Sequence, residues 1–131
     1  MYKETIICII TVIMIIAINT ITENYTSQSV KELNGKLEEL KKEISKEERD
    51  INVQFVKEKV TEIYKTWDDR YNILTYYLEH NELEKVENNL TVLKSYLESD
   101  EYAEASAKLD EMTFVLHHIE EKNKLDLKNV F

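Results

Sequence analysis

The chain has no proline and only one glycine, Gly35, in 131 residues. Those two residues punctuate turns and irregular loops, so their scarcity argues for helices joined by short connections. Cysteine is also nearly missing. A lone Cys8 forms no internal disulfide, and it sits inside an apolar run where simple packing explains it better than redox chemistry. Positive charge is in deficit, at a formal net charge of −9. An acidic chain repels phosphate backbones, which rules out nucleic acid as a general partner and disfavours lying flat on anionic lipid. No nucleophile–base pair and no metal constellation stands out, so the chain is expected not to be an enzyme and to need no cofactor or metal.

One long apolar run is present, "TIICIITVIMIIAINTI" from Thr5 to Ile21, and it carries no charge. As a helix it would extend roughly 26 Å, the short end of what crosses a hydrocarbon core of about 30 Å. Its flanks favour crossing. Lys3 can snorkel outward, Tyr2 and Tyr25 bracket the run as interfacial aromatics, and Thr5, Thr11 and Thr20 can bond back to helix carbonyls. Two other readings compete. A soluble core helix would have a polar face, and Ile6–Ile18 has almost none. A cleaved export signal would end in small residues, whereas bulky Ile18 and Ile21 interrupt "AINTIT". The preferred reading is an uncleaved anchor. Lys3 precedes the run and no further cation follows until Lys31, which favours a C-terminal domain outside the cytoplasm, although Lys31 and Lys36 blunt the contrast. The expected organisation is an anchor over residues 1–22, a helical bundle over 23–122 and a tail over 123–131.

Past the anchor the apolar residues recur at helical spacing. Val30, Leu33, Leu37, Leu40 and Ile44 step by three and four, a heptad stripe. Ser29 with Glu32 fits a capping box opening this helix, unless the anchor helix runs straight into it. If the stripe is not satisfied internally, it is a route to a homo-oligomer. Its phase breaks after Ile51, and a bend or turn is expected near Arg49–Val53, with one long stuttering helix as the alternative. A second stripe follows in Val56, Val60, Ile63, Trp67, Leu74 and Leu78, with His80 closing that helix. A third helix starts with Asn81 as N-cap and Glu84 as its partner, and carries Leu83, Val86, Leu90, Leu93 and Leu97. A fourth presents Tyr102, Ala105, Leu109, Met112, Leu116 and Ile119. The fold expected is therefore all-α: an N-terminal transmembrane helix followed by a small antiparallel bundle of about four helices. Leu125, Leu127, Val130 and Phe131 make the polar tail unusually apolar, suited to packing back on the bundle or docking to a partner.

Candidate sites are few. "WDDRY", Trp67 to Tyr71, is the richest cluster, but adjacent carboxylates diverge on a helix and Trp67 suits a core. An aromatic groove formed by Tyr64, Trp67, Tyr71 and Tyr77 is the ligand-binding alternative. His117 and His118 are neighbours, so they point about 100° apart, unlike a metal pair at i, i+4. His118 is retained as an interaction candidate together with Phe131.

The apolar N-terminus, Trp67, "EHNELEKVE" and the ending "LHHIEEKNKLDLKNVF" resemble a group of small single-span membrane proteins of low-GC Gram-positive bacteria, catalogued as a domain of unknown function. The resemblance covers nearly the whole chain. It implies a membrane-tethered helical domain and brings no active residues with it. The function expected is a non-catalytic interaction module presented at the membrane surface to a protein partner. The alternative is a ligand-sensing bundle outside the cytoplasm with an aromatic pocket around Trp67.

Overall fold

The computed structural model describes residues 1–130, with side chains through Leu125. Among the described residues the structure is all-helical. Helix α1 spans Tyr2–Ile44, α2 spans Val53–Leu74, α3 spans His80–Glu98 and α4 spans Tyr102–Val130, with a 3-10 turn at Glu48–Asp50. Helices α2 to α4 and the second half of α1 form an antiparallel bundle. Helix α4 packs against both α1 and α3, α2 packs against α1, and α2 and α3 meet only sparingly.

Helix α1 is one unbroken element about 65 Å long, so the apolar run and the heptad stripe share a single rod. Ser29 does not cap a new helix. Its hydroxyl donates to the Tyr25 carbonyl at 2.7 Å, and Thr26 donates likewise to Thr22 at 2.9 Å. Back-bonding satisfies these hydroxyls inside the helix, so the polar stretch between the two apolar segments stays helical. The two halves differ in surroundings. Every residue from Met1 to Ile18 is exposed, whereas Val30, Leu33, Leu37, Leu40 and Ile44 are buried. That stripe is occupied by the chain's own helices, which removes the condition under which it would recruit a second copy.

The turn between α1 and α2 lies where the heptad phase breaks. Asn52 caps α2 by accepting the Phe55 amide at 3.1 Å. Glu43, buried at the end of α1, accepts the Asn52 amide at 2.8 Å and the Lys46 ammonium at 2.7 Å. Lys46 first, then the Asn52 amide, hold its carboxyl below the ordinary range. Between α2 and α3 the expectation needs correction. Helix α2 ends at Leu74, and the chain turns through Thr75 to Leu78 before Glu79, not Asn81, occupies the N-cap of α3. His80 therefore opens α3 instead of closing α2, and the dipole argument made for it does not apply. Helix α3 ends in a left-handed turn at Asp100, with the Glu101 amide reaching the Tyr96 carbonyl at 2.9 Å.

Helix α4 continues through residue 123 to Val130. Asn123 is buried and Leu125 is exposed. Phe131 lies outside the described residues, as do the side chains of Leu127 and Val130.

Candidate functional site

The aromatic residues singled out in the sequence do not form one pocket. Trp67 is 2% exposed within the hydrophobic core, its ring 5.7 Å from that of Tyr71. Tyr64 is half-buried against α3, with the Lys94 ammonium 6.0 Å from its ring centre. Burial pushes its phenol upward, partly offset by a hydrogen bond with Thr91. Tyr77 turns toward α1. Its hydroxyl shares a 2.7 Å hydrogen bond with Thr26 and donates to the Thr22 carbonyl at 3.2 Å, and burial raises its pKa. His118 is exposed on α4, stacked on exposed Phe114 at 6.5 Å. Phe131 lies outside the described residues. Among the described residues, no three His, Cys, Asp or Glu side chains converge as a metal site would require.

Two open grooves run along the bundle. One, of about 1000 Å³, lies between α1 and α4 and passes Gly35. The other, of about 710 Å³, lies between α2 and α3, where Val53, Val56, Val60 and Leu97 form its apolar floor. The second exists because α2 and α3 barely touch.

A smaller cleft of about 240 Å³ lies where the exposed half of α1 enters the bundle. Ile18, Asn19 and Thr22 supply its α1 wall, Tyr77, Leu78 and Glu79 come from the turn before α3, and Glu82 stands in the first turn of α3. Ile119, Lys122 and Asn123 close it from α4. Lys122 bonds Glu79 at 3.1 Å and lies 3.6 Å from Glu82 Oε1. Glu79 first, with Glu82 adding, raises the Lys122 pKa. Glu82 is only 8% exposed, and its Oε2 has no hydrogen-bond partner among the described residues. The same is true of Asn19 Nδ2. Glu82 Oε1 also accepts from Lys85 at 3.4 Å, so two lysines pair the Glu82 charge, while Glu82 Oε2 and Asn19 Nδ2 are closed off within the cleft wall.

Sequence reasoning missed this cleft. The signal was present as polar residues at apolar positions. Asn19 interrupts the uncharged run, Glu82 precedes Leu83 on the buried face of α3, and Asn123 continues the Leu116–Ile119 step.

These features define a four-helix protein whose first helix doubles as bundle core and as an exposed apolar rod long and apolar enough to cross a membrane. The chain belongs to the family described as "Domain of unknown function (DUF4363)", whose model matches residues 14–130. No curated protein and no solved structure matches it.

Proposed function

We propose that this is a membrane-anchored, non-catalytic helical module that presents its bundle at the bilayer surface to a protein partner, with the C-terminal domain outside the cytoplasm. One observation carries the reading. The apolar half of α1 is exposed on every side, yet the same helix forms part of the bundle core. A helix apolar all round belongs in lipid or inside a larger protein, and fully burying one isoleucine is worth roughly 1.5–3 kcal/mol. Many such side chains on one bare rod favour lipid. Continuity of α1 then fixes the bundle's distance from the membrane without a flexible linker.

The grooves between α1 and α4 and between α2 and α3 are the surfaces left for a partner, because the Val30–Ile44 stripe is spent internally. Most acidic side chains near the helix seams are engaged with lysine or arginine, as in Arg70–Glu32 at 2.5 Å and Lys36–Glu62 at 2.7 Å. That usage supports structural ion pairs over acid–base chemistry. A second reading, a ligand-binding bundle, places the ligand in the cleft beside Tyr77, because Trp67 is buried in the core and lines no groove.

The test is fractionation of the full chain bearing a C-terminal tag in a bacterial host. The expected result is an intact mass, resistance to alkaline carbonate extraction, and a tag open to protease in cells stripped of their wall. A shortened, released product would make the run a cleaved signal. A protected tag would reverse the orientation.

A further inference from the structure

We infer that the groove between α1 and α4 is the contact surface for a second copy of this chain, set beside the first by a two-fold axis along the bilayer normal. The inference rests on the membrane-anchored reading and names the partner which that reading leaves open. Two rods that enter one bilayer from the same face point the same way, so a closed pair of them has its two-fold axis along the normal. Helix α1 runs away from the apolar segment and α4 runs back toward it. A two-fold axis at their groove therefore sets α1 of one copy against α4 of the other, antiparallel and at equal heights.

At those heights the groove matches itself in shape and in charge. Ser27 donates to Glu120 at 2.6 Å toward one end of the groove, and Lys41 pairs with Asp110 toward the other. Stepped along both helices from those bonds, the register sets Gly35 level with Phe114. Gly35 lines the groove and has nothing within 4 Å of where a Cβ would stand. Phe114 is 71% exposed and stacks on exposed His118. In the pair, each Phe114 ring lies across the bare backbone at the other copy's Gly35, so a projection meets a gap twice and a large apolar ring leaves water. Lys31 and Lys42 stand on the α1 wall, Asp110 stands on the α4 wall, and Glu121 is exposed beside it. By the same register Lys31 comes within about one turn of the other copy's Glu121, and Lys42 within about one turn of its Asp110. The chain carries a net charge of −9, yet Lys31, Lys41 and Lys42 balance Glu38, Asp110 and Glu120 in this groove. A second copy is therefore spared here the repulsion that an acidic surface imposes elsewhere.

The experiment has two parts, both on the full chain. The photo-crosslinker p-benzoylphenylalanine replaces Phe114, and membranes of the expressing bacterium are irradiated. The expected product is a dimer of the chain, with the adduct mapped by mass spectrometry to the turns around Gly35. Purified chain carrying donor or acceptor dyes is then reconstituted in phosphatidylcholine vesicles, where energy transfer follows the dimer as lipid dilutes it. Phe114→Ala is expected to weaken the dimer at least about tenfold, the effect of losing a buried aromatic ring. Gly35→Gln should weaken it comparably while leaving thermal stability in detergent micelles undiminished, because its Cβ meets nothing within the chain. Lys31→Glu and Glu121→Lys should each weaken the dimer, and the two together should recover most of the loss. All four positions are exposed, and circular dichroism confirms that each variant keeps the wild-type helix content. A chain that stays monomeric in vesicles, a dimer untouched by Phe114→Ala and Gly35→Gln, or a double reversal no better than either single would overturn the inference. Adducts to another protein, or to the apolar segment, would overturn it as well. Failure of the chain to enter vesicles at all would instead overturn the anchored reading, so the two failures are distinct.

Discussion

Asp100 and Gly35 divide between them the backbone freedom that this chain otherwise lacks. Asp100 has φ of 58°, the left-handed conformation that glycine adopts without penalty and aspartate tolerates. It closes α3 where most proteins would place glycine. Asp100→Val is expected to destabilise the full chain by about 1–2 kcal/mol, while Asp100→Gly should leave it as stable or more so. Thermal unfolding in neutral detergent micelles checks the pair. Gly35 has the reverse problem. It lies inside α1 with nothing within 4 Å of where a Cβ would stand, so Gly35→Ala should stabilise by about 0.5–1 kcal/mol in the same assay. Destabilisation would mean that another surface approaches the α1–α4 groove closely at that point.

Among the helices, the seam between α1 and α2 is a ladder of charge. Glu62 accepts from Lys36 at 2.7 Å and from Lys59 at 2.9 Å, and Lys59 also bonds Glu39 at 2.5 Å. Lys36 and then Lys59 pull the Glu62 pKa from its ordinary 4.5 down to about 2. Its folded value is the lower one, so the stabilisation is complete above pH 4.5 and fades as pH falls toward 2. Because Glu62 is half-exposed, the contribution is modest, below about 1 kcal/mol. Glu62→Gln should flatten the stability profile between those pH values and change little at neutral pH. An acid titration of unfolding for both chains decides it. An identical acid slope in the variant would remove Glu62 from the account.

The helices themselves were largely legible. Every core stripe followed three-and-four spacing, because each amphipathic helix buries one face and nothing in its interior competes with that pattern. The bend before Val53 was legible for the same reason, as Ile51 is the last residue in the old phase. The start of α3 was misplaced because Asn81 is the one preferred capping residue in "EHNE", whereas the helix starts after Glu79 without any side-chain cap. Continuity of α1 was left open because "NTITENYTSQS" is as polar as a linker. Only the back-bonded threonine and serine hydroxyls, with Tyr77 from the turn before α3 and Asn123 from α4 reaching Thr26, show how it remains helical inside a bundle. The cleft was least legible of all. It is assembled from four separate segments, and no local spacing announces such a meeting.

The molecule as a whole is a rod with a bundle wrapped around one end. Among the described residues Met1 to Ile18 are exposed, whereas the second half of α1 buries one face, Val30, Leu33, Leu37, Leu40 and Ile44, in the bundle. A bundle tethered through a flexible linker would tumble independently of the membrane. On the proposed anchored reading, a bundle whose core includes the same helix that enters the lipid cannot, so its grooves would hold fixed heights above the bilayer. The most direct test is a spin-label scan along α1 in bilayers, one cysteine at a time from Ile6 to Asn34 in a Cys8→Ser background. The account predicts high accessibility to oxygen and low accessibility to a water-soluble relaxer through Ile18. From Thr22 onward a helical period of about 3.6 should follow the buried bundle face, with no loss of periodicity between. Free access of the water-soluble relaxer at Ile6–Ile18, or a stretch without periodicity at Asn19–Tyr25, would contradict it.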